Sequence, residues 1–349
     1  MKAAVYYGNN KLAIEDVPEP TTGPGHVKVK VSRNGICGTD LHEYYDGPIF
    51  IPASEPHPLT GKAMPLVIGH EFSGIVTEVG SGVEGIREGD AVTIEPVYRC
   101  GECRACKTGH YNLCVSVGFH GLMADGGMAE YTVVPANQIH LLPDSVPVEA
   151  GALVEPMSVA YHAAKLAELN DQSSALVFGA GPIGIGLWFA LKGLGLTEID
   201  VVEPSETRRA AIEALGARTL DPTDADVAGL IADRTSGAGV DAAFDAAGVP
   251  ASVNTALACI GERRPLISVA IYDKAISTDL IQLVLQERRI QGTICYTGDD
   301  YRAVIDLMAQ GHYDFTGWVD TIPLSSVVED GFEQLRAGKR MKLLVDPTA

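Results

Sequence analysis

The chain has 349 residues, more than one hydrophobic core usually serves, so two domains are expected. Acidic residues number 45 against 26 basic, and the net charge of −19 sets the surface against phosphate backbones and anionic membranes. That argues against a nucleic-acid binder, and the absence of a signal segment or of a run of about 18 apolar residues points to a cytoplasmic protein with reduced thiols.

Residues 1 to about 150 read as mostly β. The chain opens directly on strand-like sequence, and His26–Arg33 alternates apolar and polar residues as a half-buried strand does. Next comes Gly35-Ile-Cys-Gly-Thr-Asp-Leu-His42, which places a thiol, a hydroxyl and an imidazole close together at Cys37, Thr39 and His42. A Pro-rich segment without periodicity follows from Asp46 to Pro65, a long loop of the kind that is usually functional or mobile. His70 and Glu71 stand just before the β-branched run Phe72–Val79, and Asp90–Ile94 is a further strand.

The stretch from Cys100 to Cys114 holds four of the seven cysteines, Cys100, Cys103, Cys106 and Cys114. Such spacings fold back on one ion, and four thiolates make a closed tetrahedral zinc site. Disulfides would need an oxidising compartment, whereas an iron–sulfur cluster uses the same ligands and is not excluded by spacing. Gly127–Val134 reads as another strand. Short strands between Gly-rich turns suggest a small barrel-like domain.

The pattern changes after Pro147. Glu149–Leu169 has helical spacing and carries Glu155 near its start. The apolar run Ser174–Phe178 then leads into Gly179-Ala-Gly-Pro-Ile-Gly184 and a long apolar helix. In this strand–turn–helix setting Gly179 permits a tight turn, and Gly181 lets backbone approach a pyrophosphate. Gly184 allows close helix packing, and Pro182 and Ile183 open the helix whose N-terminus faces the phosphate charge. Glu203 ends the next strand, 19 residues after Gly184, where a carboxylate accepts hydrogen bonds from ribose hydroxyls and repels a 2′-phosphate; NAD is expected over NADP. Asp200 is the rival acid but lies inside that strand, and Arg208, one turn into the following helix, is a candidate cover for adenine. Later strands at Val240–Phe244, Pro265–Ala270 and Arg289–Ile294 alternate with helices, the mark of a parallel sheet. The tail from about Tyr296 has two helices, Tyr301–Gln310 and Val327–Ala337, and a last strand, Met341–Val345. Its spacing does not say which domain it joins. Cys259 and Cys295 read as packing residues.

In their order along the chain, Cys37-Gly-Thr-Asp-Leu-His42, Gly69-His70-Glu71, the four-cysteine run, Val154-Glu155-Pro156 and the Val177–Gly184 loop resemble the zinc-containing medium-chain alcohol and polyol dehydrogenases. The resemblance implies an α/β two-domain fold, with a GroES-like β-barrel catalytic domain over 1–150 and a Rossmann doubly wound parallel sheet over 151–295. The tail, 296–349, would return to the catalytic domain. It implies two zinc ions per subunit: a structural one at the four cysteines, and a catalytic one held by Cys37 and His70 with Glu71 and Glu155 as ligands or as holders of a bound water. Thr39 and His42 would relay the proton while hydride passes between NAD and a secondary alcohol. Glutamate at 155 is the choice of the polyol branch. The Asp46–Gly61 insertion resembles that of 2,3-butanediol dehydrogenases of the (R,R) type, so a butanediol/acetoin substrate is expected, with Ile49, Phe50 and Ile51 as an apolar wall near the metal. Sorbitol or L-threonine dehydrogenase is the alternative. A homodimer or homotetramer is also implied, with Arg289–Tyr296 as the place to look.

Overall fold

The computed structural model describes residues 1–272 and 275–349. The chain forms two compact units. The first comprises Met1–Glu155, Thr297–Ala309 and Phe315–Ala349; the second comprises Pro156–Tyr296 and Gln310–Asp314.

The first unit is built on a largely antiparallel sheet. Its spatial order is Ile139–Leu141, Ala91–Ile94, Glu71–Val79, His26–Gly35, Lys342–Asp346, Val319–Pro323, with Tyr131–Pro135 also pairing to His26–Gly35. The alternation in His26–Gly35 does what its period requires: Val27, Val29 and Val31 are buried while Lys30 is exposed. These valines pack with Phe72, Val76, Val92, Ile94 and Val134 in one core. Lys2–Gly8, Lys11–Asp16 and Leu66–Val67 form a second sheet. Between the sheets Ala4, Tyr6, Ile36, Ile51, Ile68, Leu122 and Met128 join the tail residues Leu324, Phe332, Leu343 and Val345. Most of the tail belongs to this unit, Gln310–Asp314 excepted, because its last strand is buried and must be covered: Leu344 and Val345 pair with Gly35 and Asn34.

Two elements depart from the sequence reading. The expected Gly127–Val134 strand is shorter, Tyr131–Pro135, preceded by an isolated bridge from Ala129 to Ala3, because residues 126–128 wrap the turn before His70. There Gly126, Gly127 and Met128 donate backbone hydrogen bonds to Val67, Gly69 and Ile68. The expected helix over 327–337 opens as a π-helical turn, Val327–Phe332, before the short helix Glu333–Arg336.

The second unit is a six-stranded, all-parallel sheet. Its order is Arg218–Leu220, Glu198–Val202, Ser174–Phe178, Ala242–Asp245, Pro265–Ser268, Arg289–Gly292. In chain order this is 3-2-1-4-5-6, the doubly wound Rossmann arrangement, in which a ligand crevice opens where the order reverses. The reversal falls between Ser174–Phe178 and Ala242–Asp245, at whose carboxyl ends the glycine loop lies. The loop's helix, Pro182–Gly193, is buried almost all round, which explains why it reads as apolar without a polar face.

Candidate active site

Cys37 ends the run out of His26–Gly35 and caps the helix Gly38–Asp46. The cap is locked by Asp40, whose carboxylate accepts the Cys37 N–H at 2.9 Å, one half of a capping box. His70 and Glu71 arrive on the neighbouring strand, whose Glu71 pairs with Gly35. The ligand atoms of Cys37, His70 and Glu71 all lie within 4.8 Å of one another, with His70 and Glu71 buried. Behind them the other Asp40 oxygen faces His70 Nδ1 at 3.6 Å. Burial opposes a charge on His70, but the Asp40 carboxylate and Cys37 outweigh it and raise the imidazole pKa. A thiol, an imidazole and a carboxylate gathered in a region of surplus negative charge are a donor set suited to a divalent metal.

Lys342 completes the site. It is 2% exposed, donates to Ile36 O at 2.9 Å and forms an ion pair with Glu71 Oε2. Burial alone would lower its pKa, yet Glu71 and Cys37 reverse the sign and raise it, so the ammonium is retained. One Glu71 oxygen is thereby committed to Lys342. A Cβ at Gly35 would stand 1.9 Å from Glu71 Oε2, so only glycine admits the carboxylate there.

Glu155 is buried in the first turn of Val154–Leu166. It lies outside the 4.8 Å grouping, but its charge acts on both His70 and Lys342. Thr39 Oγ1 is 3.7 Å from Cys37 Sγ, and His42 is half-buried on the same helix. The structure therefore gathers Cys37, Thr39, His70 and Glu71 closely, with Glu155 as a nearby carboxylate. Ile51 departs from the expected apolar wall. It is 3% exposed and packed in the core with Ile36 and Ile68, whereas Ile49 and Phe50 remain exposed.

The ligand atoms of Cys100, Cys103, Cys106 and Cys114 also lie within 4.8 Å of one another. Cys100 Sγ is 3.9 Å from Cys106 Sγ and 3.5 Å from Cys114 Sγ. Sulfurs on a tetrahedral zinc at about 2.3 Å stand roughly 3.8 Å apart, whereas a disulfide needs about 2.05 Å. None of the seven cysteines is in a disulfide. Backbone N–H groups of Cys103 and Ser116 point at Cys100 and Cys114 sulfurs, as they do around thiolates. Backbone donors from Cys106 and Val115 pull the Cys103 thiol down to about 6, while burial and its neighbours push Cys106 up to about 12. Without a cation the four compete for protons; a metal lets all ionise together. The set fits a closed metal site.

In the second unit Gly179 has φ +98, and a Cβ at Gly184 would fall 1.8 Å from Gly179 O, so the helix can meet the strand only at glycine. A Cβ at Gly181 would meet nothing within 4 Å: that side of the loop is open. Pro182 and Ile183 begin the helix, with Gly181 as its cap. The Glu203 carboxylate is held at the loop by the N–H groups of Ala180 (2.8 Å) and Ser205 (2.9 Å). Asp200 is engaged elsewhere, by Arg234 at 2.7 Å and Arg218 at 3.3 Å. Arg208 is half-buried in the first turns of Glu206–Ala214. Open space, aligned N–H groups and a placed carboxylate fit a dinucleotide.

Sequence reasoning missed Asp40 and Lys342. The signal for Asp40 was its place three residues after a helix-capping position. Lys342 could have been noticed as a charge in an otherwise apolar terminal strand, although nothing in its neighbourhood names Glu71 as the partner.

Two family models match in chain order: an alcohol dehydrogenase GroES-like domain over residues 23–144 and a zinc-binding dehydrogenase domain over 182–310. The chain is 42% identical to a (R,R)-butanediol dehydrogenase of Bacillus subtilis, over 99% of this chain and 100% of that protein. The crystal structure of 2R,3R-butanediol dehydrogenase from Bacillus subtilis superposes with a TM-score of 0.93 at 42% identity, covering 99% of each chain. A zinc-binding dehydrogenase of Sinorhizobium meliloti bound to NADP is 29% identical with a TM-score of 0.90, covering 99% of each chain. A short chain alcohol dehydrogenase from Escherichia coli complexed with NADH is 26% identical with a TM-score of 0.88, again covering 99% of each chain. With both domain models matched and a relative aligned end to end, the chain belongs to the zinc-binding alcohol dehydrogenases and is a zinc- and nicotinamide-dependent oxidoreductase.

Proposed function

We propose that this enzyme interconverts 2,3-butanediol and acetoin with NAD, and that each chain carries two zinc ions. The observation that carries the substrate is the 42% identity, end to end, with a (R,R)-butanediol dehydrogenase. Cys37, His70 and Glu71 would hold the catalytic ion, with Glu155 adding negative charge from its helix. Zinc supplies Lewis acidity that makes a hydroxyl proton easy to remove. Thr39 Oγ1 would accept that proton while giving up its own, and the His42 imidazole would take up the released proton and pass it to water. Glu203 accepts the ribose hydroxyls and repels a 2′-phosphate, which favours NAD; Arg208 covers the adenine. The Cys100–Cys114 ion closes its lobe and does no chemistry.

The enzyme works as a homo-oligomer in the cytoplasm. Supporting this, Arg289–Gly292 is an edge strand pairing only with Pro265–Ser268 among the described residues, and Leu280, Ile281, Val284, Leu285 and Ile290 are exposed nearby in sequence. Gln291→Pro should lower the mass seen by light scattering.

The test is NADH formation with (R,R)-butanediol, sorbitol and L-threonine, before and after chelation. Turnover of the diol should disappear on chelation and return with zinc. Absence of turnover on any diol overturns the assignment.

A further inference from the structure

Glu43 is a buried carboxylate with no part in the chemistry above. It is 1% exposed, on the same helix as His42 and one and a half turns beyond Cys37. Burying a carboxylate is costly unless donors surround it. The donors are three successive backbone N–H groups of the insertion. Ile49 donates to Glu43 Oε2 at 3.0 Å, and Phe50 and Ile51 donate to Oε1, the latter at 3.2 Å. Among the described residues no basic side chain pairs with it. The helix end is itself pinned, since Tyr6 donates to Glu43 O at 2.7 Å and Gly47 N–H closes on the same oxygen at 3.1 Å.

Three consecutive N–H groups fixed on one carboxylate set the direction of all three side chains. Ile51 is driven into the core beside Ile36 and Ile68, the residues next to Cys37 and two before His70. Ile49 and Phe50 are left 51% and 44% exposed. We propose that Glu43 is a positioning residue for substrate selection: it ties the insertion to the metal-bearing helix so that Phe50 and Ile49 present an apolar surface to the carbon chain of a small diol. A methyl-terminated four-carbon diol gains from that surface, while a polyol with hydroxyls on every carbon must lose water against it. The inference rests on the diol assignment above.

The test compares KM and kcat for (R,R)-2,3-butanediol and sorbitol in the zinc-loaded wild type, Glu43→Ala, Glu43→Gln and Phe50→Ala, with metal content and melting temperature. Glu43→Ala should raise the butanediol KM about tenfold, leave kcat within roughly threefold, and cut the preference for butanediol over sorbitol by about tenfold. Glu43→Gln keeps one acceptor oxygen and should fall between. Phe50→Ala alters an exposed side chain and should lose the same preference at unchanged melting temperature. A wild type with no preference for butanediol sinks the diol assignment. A wild-type preference that survives in Phe50→Ala, or Glu43→Ala affecting stability and both substrates equally, sinks the positioning role instead.

Discussion

The Cys100–Cys114 lobe and the Cys37 site both gather metal ligands, yet they are built in opposite ways. The lobe draws four like ligands from fifteen consecutive residues, and three of its four cysteines are half-exposed. The Cys37 site draws unlike ligands from the start of one strand and the start of a helix, with His70 and Glu71 buried and with Asp40 and Lys342 as buried supports. A closed thiolate set satisfies itself with local backbone donors. The mixed set needs charges brought from elsewhere in the chain, and Lys342 lies 271 residues from Glu71. The lesson is that a mixed, buried set of donors needs tertiary support that four neighbouring cysteines do without.

Substitutions can break this contrast. Cys37→Ser removes the proposed thiolate ligand; losing several kcal/mol of transition-state stabilisation should cut kcat/KM by roughly 10³-fold or more, with NAD binding kept. Measurable turnover near the wild-type rate would remove Cys37 from the chemistry. Lys342→Met leaves the buried Glu71 carboxylate without its ammonium partner, which in the metal-free protein should cost about 3 kcal/mol of stability. Denaturant unfolding and zinc titration read this, and an unchanged midpoint would show the pair to be idle. Cys103→Ser should release the lobe's metal and lower the melting temperature by roughly 5 °C before it lowers kcat. If metal content stays the same, the lobe is not a four-ligand site. Glu203→Ala tests the second unit and is the smallest effect: the NADP-to-NAD ratio of kcat/KM should rise about tenfold. A ratio that does not move would take Glu203 off the ribose.

Legibility in the sequence followed the same divide. The four-cysteine run declares itself because all its information is local. So does the Gly179–Gly184 loop, whose glycines meet steric demands set within one strand–turn–helix. For His70 and Cys37 the individual residues were ambiguous, and the order of several motifs had to carry them. Lys342 was invisible, since a lysine in a terminal strand carries no mark of its partner. Glu43 was hidden for the same reason: its partners are backbone N–H groups, which no residue type announces. Ile51 was misplaced because an apolar run in a loop does not say which member turns inward; the hydrogen bonds to Glu43 decide that.

By itself, then, the sequence determined what short-range spacing and period can encode. It placed the four gathered cysteines, the glycine turn between strand and helix, the alternation of His26–Gly35 and the helix–strand rhythm of the parallel sheet. The tertiary structure alone decided what depends on long-range pairing. It set the last strand against His26–Gly35 and thus Lys342 against Glu71, and it turned Asp40 toward His70. The physical reason is that a buried charge is stable only beside its counter-charge or donors, and chain folding, not sequence proximity, brings these together.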